Sequence, residues 1–459
     1  MGAADSARGR AAARAGLRVH PRRPGATVSA IETVPYVPAV ARRRGGLFWH
    51  RDFRLLWIGQ TTSKMGSSVT SVALPLVAVA TLDASTFQVA LLLAAAWLPW
   101  LLIGLPAGAW VDRWARRPVM LTCDLASLLL FLSVPVAAWL DRLTMGHLLA
   151  VALGAGTASV FFQTAYQVYL PSLLERDQVA EGNAKMQATE AAAQVGGPGV
   201  AGLITQLAGA VNALLVDAVS FLVSALCLLS IRTREPRRQP AQHDTTLRQE
   251  IGEGLRFVAR DPYLRVLTVF SGFSNIGLIG YQSILVVFLV REVGVSPFAV
   301  GVLAAATSLG GVLGATSAVG LARRFGSARS LLVAEIGAAP FALLIPLTTP
   351  GTGLALTIAG GFVVGAGTAV GNVLKGTFRQ TYSPHQLLGR VTVSMQLISY
   401  GTIPLGALLG GTLGTALGLR PAMWIIMAGL ALTGLILLLG PLSRNRDLPV
   451  RPAAWPVPG

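Results

Sequence analysis

Only 12% of the 459 residues are charged and 53% are hydrophobic, a balance that excludes a string of ordinary soluble domains. The apolar residues fall in runs of about 20, the length that crosses roughly 30 Å of hydrocarbon, so the chain reads as an all-α membrane protein. The net charge of +17 raises a nucleic-acid reading. The arginines, however, fall on alternate loops, as they do when positive charge is retained on the cytoplasmic side, and no nucleic-acid partner is expected.

Residues 1–46 are rich in Ala, Arg, Gly and Pro and contain no apolar core of a signal peptide. They read as a disordered basic cytoplasmic tail. Leu47 to Arg54 reads as an amphipathic lead-in with Trp49 and Phe53 at the membrane interface. Twelve apolar segments follow, at Leu55–Ala80, Val89–Val111, Val119–Leu140, His147–Leu170, Ala188–Ala208, Asn212–Ile231, Leu264–Val290, Phe298–Leu321, Ser330–Thr348, Thr352–Leu374, Val391–Ala416 and Met423–Leu442. The sixth and seventh are separated by the longest internal hydrophilic stretch, residues 232–261, which holds an amphipathic helix over Leu247–Ala259. The expectation is twelve transmembrane helices in two pseudo-symmetric six-helix bundles, 47–231 and 262–442, joined by a cytoplasmic central loop and ending in a cytoplasmic tail, 443–459.

Charge sets the orientation. Arg113, Arg116 and Arg117 follow segment 2, Arg176 and Lys185 follow segment 4, and Arg323, Arg324 and Arg329 follow segment 8. Arg379 and Arg390 flank the loop after segment 10, whereas the alternate loops carry only Arg142, Arg291 and Arg420. Both termini are therefore expected in the cytoplasm. A faint repeat supports two halves: Pro171-Ser-Leu-Leu-Glu echoes Ser383-Pro-His-Gln-Leu-Leu, and Ala322–Gly326 occupies in the second half the place of the loop after segment 2.

That loop reads Gly108-Ala-Trp-Val-Asp-Arg-Trp-Ala-Arg-Arg-Pro-Val-Met120. It resembles the signature loop of the major facilitator superfamily, with Gly108, Asp112, Arg113, Arg116 and Arg117 in register. The resemblance implies a conformational latch in which Asp112 meets the start of segment 11, near Leu388-Gly-Arg390, by facing a positive helix N-terminus. Segment 5 carries Gly196-Gly-Pro-Gly-Val-Ala-Gly202, in which Gly197, Pro198 and Gly202 resemble the motif of the antiporter members. Arg51-Asp-Phe-Arg-Leu-Leu-Trp-Ile-Gly-Gln60, Phe161-Phe-Gln163, Leu170–Glu175, Gly182-Asn-Ala184 and Val216–Phe221 occur in an order similar to the macrolide-efflux and enterobactin-exporter branch. Two departures stand out. Ala150 and Ala152 occupy the places of a buried Arg in segment 4, and Ser67 that of an Asp in segment 1.

Ionisable residues within membrane segments are costly and are read first as functional. Lys64 lies about 15 Å along the helix from Arg54, and Glu190, with Gln194 one turn on, opens segment 5. These three are the leading coupling or substrate candidates, against a bland reading of snorkelling and packing. Asp124, Glu335 and Asp217 are expected to be structural. Gln60, Trp97, Phe162, Gln163, Gln167, Asn275, Gln282, Asn372, Gln396 and Tyr400 are candidate cavity residues on the segments that line the cavity in this superfamily; each taken singly is more often packing. Cys123 and Cys227 lie in apolar runs, and no metal-ligand spacing, Walker loop or Ser/His/Asp set is found. Neither enzyme activity nor a cofactor is expected.

The expected function is secondary transport in a bacterial plasma membrane, with proton-coupled efflux of a small amphipathic compound by a monomer in the lipid bilayer. Siderophore or metabolite export, or uptake, is the alternative within transport. A transport-inactive scaffold or sensor is the alternative of another class.

Overall fold

The computed structural model describes residues 47–111, 113–175, 178–233, 247–384 and 387–449. After a 3-10 turn at Leu47–Trp49 come α1 (Arg51–Ala80), α2 (Thr86–Val111), α3 (Arg116–Trp139), α4 (Met145–Leu173), α5 (Val179–Ala208) and α6 (Ala210–Ser230). The short α7 (Leu247–Arg260) precedes α8 (Pro262–Val287), α9 (Pro297–Phe325), α10 (Ser327–Ala342), α11 (Leu354–Tyr382), α12 (Leu388–Leu417) and α13 (Leu419–Thr433). A π turn prolongs α8 to Glu292, and a 3-10 turn prolongs α13 to Leu439.

Helix ends are set by local chemistry. Asp261 Oδ1 accepts hydrogen bonds from the Tyr263 and Leu264 amides, and Pro262 occupies the first turn, so α8 starts there. Ser296 and Pro297 open α9 in the same way. Gly209, Gly326 and Gly418, at φ of 84°, 92° and 88°, turn the chain directly from one helix into the next, a conformation that costs a side chain dearly.

The boundaries repeat. Met145, Val179 and Ala210, which begin α4, α5 and α6, are each followed 209 residues later by Leu354, Leu388 and Leu419, which begin α11, α12 and α13. Arg51, Thr86 and Arg116 are followed 211 residues later by Pro262, Pro297 and Ser327.

Among the described residues eleven helices are long and apolar enough to span a bilayer, one fewer than expected. The other is α5, whose 30 residues include Glu181, Lys185, Glu190 and several Gly and Gln residues. It begins at Val179 rather than near Ala188, so Glu190 lies twelve residues into the helix instead of at its start. Phe53 is also displaced from its expected place: it is fully buried, whereas Trp49 is 80% exposed. Asp52 explains this, since it accepts hydrogen bonds from the Arg232 and Thr233 amides and turns the start of α1 inward.

The expected amphipathic helix in the central stretch is present as α7. Phe257 and Val258 bury beside α8, while Arg390 at the start of α12 pairs with Glu253. The first part of the expected tail is ordered. Asp447 Oδ1 accepts from the Ser327 amide and Arg446 O from the Ala328 amide, capping the start of α10.

The helices alternate between an arginine-rich end (turns at 113–115, 174–175, 326 and 383–384) and an arginine-poor end (turns at 81–85, 140–144, 209 and 293–296). At the arginine-poor end one continuous apolar core joins residues such as Val72, Leu92 and Leu214 to Phe288, Val300 and Met427. At the arginine-rich end there are two separate cores. One draws only on residues before 232 (Phe53, Met120, Tyr169), the other only on residues after 256 (Leu264, Leu331, Phe378).

Candidate functional site

The site grows from the seam between α1 and α5. Trp57 Nε1 donates to Thr189 Oγ1 at 2.9 Å, and Ser68 Oγ, which bonds Lys64 O at 2.9 Å, also reaches Ala193 O at 3.3 Å. Gly197 lies against Ser68, where a Cβ would overlap it. Between these rungs Lys64 Nζ sits 2.8 Å from Glu190 Oε2. The two side chains are 30% and 36% exposed, so they remain in reach of water. Such a half-solvated pair is worth about 1 kcal/mol or less to the fold, which leaves it free to open.

One turn beyond Glu190, Gln194 faces a cavity of about 210 Å³. Gln282 of α8, Thr307 and Ser308 of α9, Thr368 and Asn372 of α11, and Met427 and Leu430 of α13 complete its wall. Three of the candidates, Gln194, Gln282 and Asn372, are thus brought together. The cavity is mostly apolar with a few amide and hydroxyl groups, the composition of a small-molecule site, though below the 300–1,000 Å³ typical of one.

The remaining candidates are dispersed. Asn275 is committed to Ser399 O and Thr402 Oγ1 at 3.1 and 2.8 Å, tying α8 to α12. Gln60 is 5% exposed and its Nε2 has no hydrogen-bond partner among the described residues. Gln163 is half-buried, while Gln167 and Gln396 are exposed; none lines the cavity. Trp97 and Trp100 of α2 pack their rings at a tilt against Tyr400 of α12, at 6.3 and 5.2 Å, and Phe162 stacks on Tyr166 within α4.

Of the expected latch, Asp112 lies outside the described residues. Gly108 has open space where a side chain would stand. Arg117 donates to Leu228 O and Leu229 O, both at 2.8 Å, a cation placed on the last carbonyls of α6. Arg116 is 8% exposed and Arg113 is exposed. Arg390, the expected neighbour of Asp112, is engaged by Glu253.

The segment 5 motif makes the tightest crossing. Gly202 packs on the first turns of α9, where an added Cβ would come within 2.9 Å of Pro297 O and 3.0 Å of Gly301 Cα; a Cβ on Gly301 would overlap Pro198 O. Gln206 Oε1 accepts from the Phe298 amide at 3.2 Å beside it. Thr86 and Ala90 at the start of α2 meet Gly414 and Gly411 near the end of α12, and Arg291 reaches Asp83 at 2.7 Å. All of these contacts lie at the arginine-poor end.

One buried pair escaped the sequence reading. Glu335 of α10, expected to be merely structural, is 3.0 Å from Lys375 of α11, a residue not singled out at all. Asp217 is 1% exposed and accepts from Thr70 and Ser220. Asp124, also 1% exposed, lies beside Ser224 and Cys227 of α6. No metal-binding cluster occurs among the described residues.

The multidrug efflux pump Tap of Mycolicibacterium fortuitum is 29% identical over 409 residues, covering 87% of this chain and 98% of that one. The enterobactin exporter EntS of Citrobacter koseri is 25% identical over 420 residues, covering 89% and 96%. Among solved structures, a bacterial homologue of the lysosomal transporter Spinster, inward-facing and unoccupied, superposes with a TM-score of 0.68 at 17% identity, over 86% of this chain and 97% of that one. The nucleoside transporter NupG does so with 0.70 at 11% identity, over 84% and 98%. The family model described as transmembrane secretion effector matches residues 47–458, and with its apolar helices the chain therefore belongs to that family, as a multi-pass efflux transporter of the major facilitator superfamily.

Proposed function

We propose that the protein exports a small amphipathic compound by alternating access, driven by inward proton flow, through two six-helix halves at 47–231 and 262–442 with both termini in the cytoplasm. The observation that carries this reading is the cavity wall. Gln194 of the first half closes a pocket otherwise built by α8, α9, α11, α13 and Ile345 in the turn after α10, so a ligand there touches both halves and moves with neither alone. The 209- and 211-residue recurrence of helix starts is what a pair of pseudo-equivalent halves produces. The arginine bias supports reading the arginine-rich end as cytoplasmic. One shared core at the arginine-poor end and two separate cores at the other then suit a state closed outward and parted inward.

In this reading the Lys64–Glu190 pair forms the charged wall of the cargo path, and a bulky ligand enlarges the 210 Å³ cavity by separating the halves further. Gly197, Pro198 and Gly202 govern how closely α5 approaches α9. Asp112 and Arg113 latch the cytoplasmic side when it closes. The protein works as a monomer, and its cargo is a drug, a macrolide-like compound or a natural product. Ethidium transport in everted vesicles tests the reading, alongside a drug-susceptibility and metabolite-export profile of a deletion strain. Accumulation should collapse with a protonophore and be indifferent to ATP once a proton gradient is imposed. Accumulation of cargo that persists after the gradient is removed would overturn proton coupling. Asp112→Asn should impair flux while leaving membrane insertion intact, and wild-type flux in that variant removes the latch.

A further inference from the structure

The Glu335–Lys375 pair lies outside the charged wall just described, and its surroundings are unusual for a pair that merely holds two helices together. Both side chains are largely withdrawn from solvent, at 7% and 15% exposure. Lys375 Nζ also stands 4.8 Å over the Phe270 ring of α8, so α8, α10 and α11 converge on it. Gly371 lies where any side chain would overlap the Glu335 carboxylate, so the backbone of α11 leaves room for that group.

Glu335 nevertheless borders open space. It lines a second cavity of about 20 Å³, room for one water by the usual minimum of about 10–15 Å³. Val364, Thr368 and Leu430 line both this cavity and the 210 Å³ one. A water in the small cavity has Glu335, Ser274, Thr368 and Thr433 as polar neighbours, enough to hold it.

The repeat supplies an independent observation. At the 211-residue displacement Glu335 corresponds to Asp124, and at the 209-residue displacement Lys375 corresponds to Tyr166. The carboxylate is present in both halves; the cation faces it only in the second.

We propose that Glu335, held against Lys375, is a proton-binding site that exchanges with the neighbouring transport cavity by way of the one-water cavity beside it. The inference rests on the proton-driven reading above and names where a proton is taken up. Glu335 gains the proton at a carboxylate oxygen from cavity water; the pair then passes from neutral to a net single positive charge, carried by Lys375. Around it, Lys375 and, one turn further along α11, Arg379 are the charged groups. α8 presents Phe270 and Ser274, and α13 presents Leu430 and Thr433, all neutral. A lysine left without its counter-ion in such surroundings is costly, so protonation favours a state in which Lys375 gains water, which links proton uptake to helix movement.

The test needs no identified cargo, because the proton is the ligand. Infrared difference spectra of the full-length protein in liposomes, taken between acidic and alkaline buffer, should contain the carbonyl stretch of a protonated carboxyl group that Glu335→Gln removes. The double variant Glu335→Gln/Lys375→Met, which leaves no charge unpaired, should lack the same band and serves where the single variant does not fold. Lys375→Met alone should keep the band and move its appearance to higher pH, because the cation that favours the carboxylate is gone. Unchanged bands in folded Glu335→Gln overturn the proposal, as does a wild-type spectrum without a titrating carboxyl band. Loss of the band together with gradient-independent cargo transport would keep the proton site and remove the coupled-export reading. Gradient-driven transport with unchanged bands would do the opposite.

Discussion

Replacing Gly301 with valine should force open the arginine-poor end. A Cβ there overlaps Pro198 O and lies 2.8 Å from Gly202 Cα. Both neighbours are backbone, so no side chain can rotate aside, and α5 and α9 must part. Overpacking of this kind costs about 1–3 kcal/mol. The cost falls only on the state in which this end is closed, so the equilibrium should move roughly 5- to 150-fold towards the opposite state. A state populated at about 1% would rise to roughly 5–60%. Spin-label pairs on residues 81–85 and 291–296, in a background with Cys123 and Cys227 replaced by serine, report the separation directly. The short distance expected from the Arg291–Asp83 contact should lose population to a longer one in Gly301→Val, with Gly301→Ala between. An inserted, folded Gly301→Val protein with the parent distance distribution would refute the reasoning.

Other consequences follow from single contacts. Glu190→Gln leaves Lys64 without its counter-charge, whereas Lys64→Met/Glu190→Gln leaves neither group unpaired; vesicle efflux should fall further in the single variant than in the double one. Asp261→Ala removes two N-cap bonds and the acceptor of the Tyr382 hydroxyl at 2.6 Å. It should lower stability by about 1–2 kcal/mol, read as a reduced thermal midpoint in detergent, with Asp261→Asn milder. Glu253→Gln should release α7 from Arg390 and raise amide hydrogen exchange across 247–260 while exchange in α12 beyond its first turns stays unchanged.

Segment positions were legible because hydrocarbon imposes a length and an apolar composition that no tertiary contact can override. Glu190 shows where that signal fails. The first nine residues of α5 are polar enough to resemble a loop, yet Leu47 and Phe53 pack beside Gly182, and Lys185 sits 4.0 Å over the Phe48 ring, so the helix extends through them. Lys64 and Glu190 were each visible as charges in apolar surroundings, but their pairing was not, because helix order along the chain does not state which helices touch. Lys375 was passed over because it lies near the arginine-rich end of its segment, where a lysine reads as a snorkelling cation.

The same argument separates the two charged pairs. Lys64 and Glu190 retain about a third of their exposure, so water already compensates each charge and a cargo can exchange with either at little cost. Glu335 and Lys375 lack that compensation, so any change in the charge of one is felt by the other and by the helices that carry them. A half-exposed pair suits recognition of varied cargo, while an enclosed pair beside a one-water cavity suits a proton and excludes anything larger. Asp124, enclosed without a facing lysine, lacks this arrangement, so under the proposed mechanism the proton belongs to the second half and the charged wall of the first to the cargo.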